Sequence, residues 1–180
     1  FDEIGLNVGA IHALWTLNGL KLDDTSKAVS AASAALSHPS AGVRRNAAAV
    51  LSHWNDGAKA LLAANSLTSD TDVQVRLQGI LCLADMEPSD EAGQLVAKIA
   101  RRADLDLWES NAVTAAAATH AVSFLKALEQ PGEQENAQLS DGALQTSEIV
   151  AEHIARGRPR AEAIQSLLTG LEKSSPQLTE

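Results

Sequence analysis

The sequence contains few of the residues on which sheet proteins, disulfide-bonded proteins and membrane spans depend. Aromatic residues make up 3% of its 180 positions and tyrosine is absent. Because β-sheets are enriched in aromatic and β-branched residues, this composition, rich in alanine and leucine, favours closely packed helices. One cysteine cannot form an internal disulfide. No apolar run approaches the ~20 residues that a membrane-spanning helix needs, so we expect no membrane insertion.

Basic charge is also scarce. The formal net charge is −9, whereas nucleic acids and anionic membranes attract basic surfaces. We therefore expect no nucleic-acid partner. The sequence begins at Phe1 rather than at a methionine, which we interpret as a fragment of a longer protein that can lack targeting information.

Recognisable catalytic and metal-binding patterns are missing. No glycine-rich phosphate loop, nucleophile elbow, HExxH or CxxCH occurs, and the five histidines show no metal-ligand spacing. His38 and His120 lie at predicted helix junctions, and Cys82 lies on an apolar helical stripe, so we expect structural roles for all three. The sequence predicts no catalytic residue, metal or cofactor.

Apolar residues recur with helical periodicity along most of the chain. The predicted helical segments are 5–19, 24–37, 41–54, 56–66, 73–86, 89–102, 107–118, 119–129, 143–156 and 160–173. Only 129–142 is a long polar stretch with proline and glycine, so it is predicted to be an exposed insertion or a linker.

Two segments of the chain repeat the same pattern. "SHPSAGVRRNAAAVLSHW" begins at Ser37 and "SDTDVQVRLQGILCLADM" at Ser69. The first predicted core stripe is Val43, Ala47, Val50, Leu51 and Trp54. The second is Val75, Gly79, Cys82, Leu83 and Met86, and a weaker copy upstream of the first is Gly9, Ala13, Thr16, Leu17 and Leu20. A period of about 33 with two helices per repeat is typical of an α-solenoid, whose stacked repeats bury a continuous core.

The residues Asp70, Val75, Arg76 and Gly79 resemble the pattern D-x-x-x-V-R-x-x-A of HEAT repeats, with glycine in place of the alanine. In that family an acidic and an arginine position form a polar ladder between repeats, which implies ladder roles for Arg44, Asp70 and Arg76. His38 stands where the first copy would have its aspartate. We therefore expect truncation at Arg76 to destabilise the protein more than truncation at Arg44.

A narrower resemblance covers roughly 5–125. The phrases "IHALWTLNGL", "LSHPSAGVRRNAAAVL", "VRLQGILCLAD" and "DLDLWESNAV", in that order, resemble the helical middle region of large bacterial membrane-bound dehydrogenase-type proteins. Those proteins join a β-propeller, a HEAT array and a c-type haem domain. The periodic segments predict an all-α fold of about ten helices in antiparallel pairs, forming one domain over 1–180, and the HEAT resemblance implies that these pairs stack as a right-handed superhelix. The dehydrogenase-type resemblance implies a periplasmic or cell-envelope location and a parent protein that is an oxidoreductase.

HEAT arrays line their concave face with the second helix of each repeat, which suggests where a partner binds. Beside the predicted core stripes, one column of positions is polar and its neighbours are more apolar, a mixture suited to a protein surface. The predicted docking residues are His12, Trp15, Arg45, Asn46 and Gln78. A solvated helix face is the alternative interpretation of the same pattern.

The leading hypothesis is a non-catalytic scaffold that contacts a protein or neighbouring domains of its own polypeptide. Two enzymatic alternatives come from HEAT-like folds: a bilin lyase, and a solenoid that excises damaged bases. Base excision requires a basic, aromatic-lined groove with an aspartate, which the charge of −9 disfavours. An absorbance shift on mixing with free bilin distinguishes the lyase.

Overall fold

A computed structural model describes residues 5–21, 26–54, 56–130 and 139–157, together with 164, 165, 168 and 169. These residues form helices joined by short turns, and no strand occurs among them. The all-α prediction is confirmed for this part of the chain. Residues 131–138 of the predicted insertion, and most of the predicted segment 160–173, lie outside the described residues.

Nine α-helices lie within the described ranges. They are α1 (Val8–Gly19), α2 (Ser26–Ala35), α3 (Ala41–Ser52), α4 (Gly57–Ala63), α5 (Val73–Asp85), α6 (Asp90–Ala100), α7 (Leu107–Thr119), α8 (Ala121–Glu129) and α9 (Asp141–Arg156). The prediction of one helix over 56–66 was wrong at its end, because α4 stops at Ala63 and a 3₁₀ turn, Asn65–Ser69, follows.

Side-chain caps fix the starts of five helices. The residue before each helix accepts hydrogen bonds from the first-turn backbone N–H groups, which have no partner within the helix. These caps are Asn7, Asp72, Ser89, Asp106 and Ser140. Asp106 and Glu109 form a reciprocal capping box at the start of α7.

The odd-numbered helices recur at a nearly constant interval, close to the period of about 33 that is typical of solenoid repeats. Their first residues are Val8, Ala41, Val73, Leu107 and Asp141. The interval continues through α9, beyond the copies found in the sequence. An even-numbered helix precedes each odd-numbered helix after α1, so the chain alternates between two sets of helices.

The chain forms two compact units, Phe1–Met86 and Glu87–Glu180, and a single domain over 1–180 stays a prediction. In the first unit, α3 packs against both α1 and α5, and α2 and α4 pack against α3 and each other. The apolar side chains buried there are Leu14, Ala28, Ala32, Leu36, Val43, Ala47, Ala48, Val50, Leu51, Trp54, Leu61, Leu67, Val75 and Cys82.

In the second unit α6 packs on α8 and α7 on α9, while α6 also contacts α7 and α8 contacts α9. Alanine dominates this interior, and Phe124 is its largest fully buried side chain. The small Gly93 of α6 lies against Ser123 on α8, where an added Cβ would be 2.4 Å from the serine Cβ. Arg101 donates to the carbonyl oxygens of Leu128 and Gln130 at 2.9 and 2.8 Å, which satisfies the end of α8.

The predicted core stripe is correct in α3 and nearly so in α5, where Met86 is half-buried and the other members are buried. In α1 it was wrong: Gly9, Ala13, Thr16 and Leu20 are exposed, and Leu14 is buried instead. The predicted α1 stripe was placed 34 residues before the α3 stripe, whereas the starts of α1 and α3, Val8 and Ala41, are 33 residues apart. The predicted alignment of α1 with α3 was therefore off by one residue. One residue rotates a helix face by about 100°, so this slip turned the predicted stripe outwards.

Candidate docking surface

Arg44 on α3 and Asp70, in the turn before α5, form a two-pronged ion pair. Nε and Nη2 of Arg44 each donate to one carboxylate oxygen of Asp70, both at 2.7 Å. The exposed fractions of the two side chains are 15% and 11%. The hydrogen bonds from Arg44 lower the pKa of Asp70, and the same bonds raise the pKa of Arg44. The pair therefore links the α2–α3 repeat to the turn that starts α5.

Arg44 and Arg76 each donate a hydrogen bond to a backbone carbonyl oxygen in the turn that precedes their own helix. Arg44 Nη1 donates to the carbonyl oxygen of His38 at 2.8 Å, and Arg76 Nη1 donates to that of Asp70 at 2.9 Å. In both cases the acceptor lies six residues earlier. Arg44 also holds the Asp70 carboxylate through two short hydrogen bonds, so we now expect the larger loss at Arg44, the reverse of the order expected from the sequence.

Asp70 both pairs with an arginine and accepts a hydrogen bond that closes its own turn. In the preceding repeat His38 takes only the second of these roles. The Nδ1 atom of His38 accepts a hydrogen bond from the Ser40 backbone N–H at 3.0 Å. Asp70 Oδ1 accepts from the Asp72 backbone N–H at 2.9 Å, at the equivalent place in the next repeat. An imidazole can close this turn, but it offers no carboxylate for an ion pair. Sequence reasoning missed this shared role of the two side chains.

All five predicted docking residues lie on α1, α3 and α5 of the first unit. His12 and Arg45 are exposed, Asn46 and Gln78 are half-buried, and Trp15 is 41% exposed. Since α3 contacts both of the other helices, its residues lie between those of α1 and α5. The fold thus brings the predicted residues onto three adjacent helices.

Trp15 is held in place by a polar bridge to the neighbouring helix. Its indole Nε1 donates to Asn46 Oδ1 at 2.8 Å, and Asn46 Nδ2 donates to the Gly42 carbonyl oxygen at 2.7 Å. A large aromatic side chain that is both exposed and fixed loses little conformational entropy when it meets a partner. This bridge makes Trp15 the best-defined feature of the surface.

Gln78 is anchored less firmly. Its Nε2 lies 3.5 Å from the sulfur of Cys82, which in turn lies 3.4 Å from the carbonyl oxygen of Ala48. Burial raises the pKa of the Cys82 thiol, so the thiolate needed for nucleophilic chemistry is disfavoured. Cys82 is a core residue between α3 and α5, as its place on the predicted stripe indicated.

Exposed apolar side chains accompany the predicted residues. In the first unit the large ones are Val8, Trp15, Leu20, Val73 and Leu81. Four lie on α1 or α5 and Leu20 directly follows α1. Leu81 is 39% exposed on α5, one turn beyond Gln78. The sequence signal for adding Leu81 to the site is its position three residues after Gln78, which places both on one face of a helix. We call Trp15, Arg45, Asn46, Gln78 and Leu81 the α3 surface.

A cavity of about 410 Å³ in the second unit gathers polar side chains from the starts of α6 and α8. His120, 2% exposed, accepts a hydrogen bond at Nδ1 from the Ser89 backbone N–H at 3.1 Å. Ser123 donates to Asp90 at 2.5 Å. The imidazole nitrogen and the carboxylate are thus both used in joining α6 to α8, and the structural role expected for His120 fits this geometry.

Among the described residues, no group of three or more histidine, cysteine or acidic side chains could hold a metal ion. Within the same ranges, no helix combines the length and the apolar character needed to cross a bilayer. No family model, curated protein or solved structure matches the chain.

Proposed function

We propose that the protein is a non-catalytic α-solenoid scaffold whose α3 surface docks a protein segment or a neighbouring domain of the polypeptide that contains it. In this proposal the parent is the dehydrogenase-type multidomain protein of the cell envelope that the sequence resembles. The observation that carries the proposal is an exposed Trp15 on α1 that is fixed by its hydrogen bond to Asn46 on the adjacent helix α3, which also exposes Arg45.

The regular succession of helices supports the solenoid architecture. Odd-numbered helices start at nearly constant intervals along the chain, and in each unit those helices contact one another. Stacked helix pairs that contact mainly their neighbours are the defining arrangement of such arrays. The Arg44–Asp70 pair joins consecutive repeats at the position expected for a HEAT-type ladder.

The composition of the α3 surface supports docking of a protein. Aromatic residues and arginine are enriched in protein interfaces, particularly where truncation costs the most binding energy. Trp15 and Arg45 belong to these types, and Asn46 and Gln78 supply amide groups that can form hydrogen bonds. A solvated helix face, the alternative interpretation, has no need of an indole fixed by a polar bridge.

The test is binding of the flanking parts of the parent polypeptide, expressed separately and added to the purified chain. Changing Arg45 and Gln78 together to glutamate places two negative charges on the α3 surface. We expect binding in a pull-down to weaken at least tenfold, or about 1.4 kcal/mol, while circular dichroism shows an unchanged helical signal.

The matched control replaces Lys59 with glutamate. Lys59 is an exposed cation on α4, outside the α3 surface, so this variant should bind as wild type does. Undiminished binding of the Arg45/Gln78 double variant would move the contact elsewhere, and the 129–142 segment would be the next place to test.

A further inference from the structure

We infer that His120 is a pH-sensitive contact of the second unit. Its neutral imidazole holds the start of α6 against the junction of α7 and α8, and protonation of the ring releases that contact. This inference is independent of the proposed docking function.

His120 is the buried histidine of this chain. The structure describes all five histidines: His120 is 2% exposed, His38 is half-buried, and His12, His53 and His153 are exposed. A polar ring is tolerated in a protein interior when hydrogen bonds satisfy it. The contacts of the His120 imidazole therefore decide which charge state the fold accepts.

The backbone of His120 is held by both helices of the junction. Its N–H donates to the Ala116 carbonyl oxygen of α7 at 3.1 Å, and its carbonyl oxygen accepts from the Phe124 N–H of α8 at 2.9 Å. Phe124 is itself fully buried. The imidazole thus extends from a fixed corner of the unit to the turn that starts α6.

The hydrogen bond between His120 and this turn requires a neutral ring. Nδ1 of His120 accepts from the Ser89 backbone N–H at 3.1 Å, and the Ser89 hydroxyl in turn caps α6 by accepting from the Ala92 N–H at 3.2 Å. Because an amide N–H is the donor, Nδ1 has no proton, and the ring proton is assigned to Nε2. An imidazolium has a proton on both nitrogens, so it cannot accept this hydrogen bond.

One carboxylate lies close enough to attract the charged ring. Asp90 lines the same cavity as His120, but its carboxylate already accepts a hydrogen bond from the Ser123 hydroxyl at 2.5 Å. Among the described residues, the other charged side chains of α6, α7 and α8, and those of α9, do not line this cavity. Those of α6, α7 and α8 are Glu91, Lys98, Glu109, Lys126 and Glu129. Burial of a cation and loss of the Ser89 bond therefore outweigh the attraction of Asp90.

The neutral ring makes the second unit sensitive to mild acid. Histidine in an unfolded chain takes up a proton below about pH 6.5. A fold that keeps the ring neutral binds fewer protons than the unfolded chain, so its stability falls as the pH falls below that value. Opening of the contact between α6 and α8 should become about tenfold more favourable for each pH unit below about 6.5.

The first unit provides the internal reference. The pKa of Asp70 is lowered, so its carboxylate stays ionised over the range in which histidine titrates. His38 accepts the Ser40 N–H through Nδ1 at 3.0 Å, but this ring is half-buried, and water can take its place. We therefore expect the stability of the first unit to be nearly constant over this range.

Hydrogen exchange of the whole chain between about pH 5 and about pH 7.5 measures these openings helix by helix. After correction for the intrinsic exchange rate, the protection of α6 and α8 amides should fall about tenfold per pH unit below about 6.5. The protection of α3 amides should stay constant. NMR of the histidine ring nitrogens should show His120 neutral, with its proton on Nε2, at a pH at which the exposed histidines are charged.

Two variants separate the ring charge from the contact itself. His120→Asn provides an amide oxygen that can accept the Ser89 N–H and cannot ionise in this range, so the protection of α6 and α8 should no longer depend on pH. The matched control His38→Asn removes an imidazole with the same kind of acceptor contact from the first unit. It should keep the wild-type pH profile of α6 and α8.

Constant protection of α6 and α8 in wild type, or the same pH dependence in His120→Asn, would overturn the inference. A His120 ring that becomes charged together with the exposed histidines, while α6 and α8 keep their protection, would also overturn it. If His120→Asn does not fold, the wild-type exchange profile and the ring spectrum decide the question on their own.

Discussion

The odd-numbered helices of the two units differ in formal charge. Helices α1, α3 and α5 of the first unit sum to +2, whereas α7 and α9 of the second contain four acidic residues and one arginine, or 1 − 4 = −3. Both sets expose large apolar side chains, including Trp15 in the first and Trp108, 69% exposed, in the second. The spacing of the repeat fixes where helices lie, but it leaves their exposed faces free to differ.

The interiors differ as well. The third residue of α3 and of α5 is a buried valine, Val43 or Val75, whereas the third residue of α7 is Glu109, 1% exposed. Thr114 and Thr146 lie 3.3 Å apart through their hydroxyl oxygens, between α7 and α9. Apolar packing and the Arg44–Asp70 pair join repeats in the first unit, while the second adds hydroxyl contacts and a buried carboxylate.

The largest expected contrast between the units comes from two helix glycines. A Cβ at Gly93 would lie 2.4 Å from the Ser123 Cβ and 2.9 Å from the Phe124 nitrogen, and the backbone atom cannot rotate away. Gly93→Ala should cost about 2–3 kcal/mol of unfolding free energy, even though alanine favours helices by about 1 kcal/mol.

Gly79→Ala is the counterpart in the first unit. Its nearest neighbour would be the Leu67 Cβ at 3.1 Å, which needs to move by only a few tenths of an ångström. We expect urea denaturation to place this variant within about 1 kcal/mol of wild type. Equal losses at the two glycines would show that α6 and α8 are not packed as closely as described.

The ion pair provides the next largest effect. Arg44→Ala leaves the Asp70 carboxylate partly buried and unpaired, and should cost about 2 kcal/mol in urea denaturation. Arg76→Ala removes the hydrogen bonds that Arg76 donates to the carbonyl oxygens of Asp70 and Thr71, and we expect a smaller loss of about 1 kcal/mol. A larger loss at Arg76 would restore the order predicted from the sequence and contradict the pairing.

The pair also predicts how stability depends on pH. Because the pKa of Asp70 is lowered in the folded state, the stability that it contributes is present above the unfolded-state value of about 3.9 and is lost as the pH falls through the folded-state value. Asp70→Asn can still accept the turn hydrogen bond but cannot ionise, so its unfolding free energy should fall less than that of wild type below about pH 4. Parallel pH curves for the two proteins would be evidence against the pair.

The smallest contrast concerns two N-cap residues. Asp106 accepts from the Glu109 N–H at 2.8 Å, so Asp106→Ala should cost about 1 kcal/mol. Ser40 precedes α3, but its buried hydroxyl has no hydrogen-bond partner among the described residues. Ser40→Ala should therefore leave the thermal midpoint unchanged or slightly higher. A loss at Ser40 as large as that at Asp106 would indicate a hydrogen bond at that hydroxyl.

The sequence predicted the structural features that depend on hydrophobic periodicity and on residue spacing. The helices, the buried stripes of α3 and α5, and the involvement of Asp70 with a repeat arginine all follow from residue patterns. The α1 stripe failed because Gly9, Ala13 and Thr16 match a core pattern too weakly to show a slip of one residue. The Trp15–Asn46 bridge could not be predicted from the sequence, because a hydrogen bond between residues 31 positions apart depends on how two helices are rotated against each other.

The three tryptophans allow one direct measurement of where a partner docks. Trp54 is buried in the first unit, and Trp15 and Trp108 are exposed on different units, so fluorine NMR of the 5-fluorotryptophan-labelled protein gives one signal for each location. On titration with the flanking parent polypeptide we expect the Trp15 signal to shift or broaden while the Trp108 signal stays in place. A response confined to Trp108, with Trp15 unchanged, would contradict docking on the α3 surface.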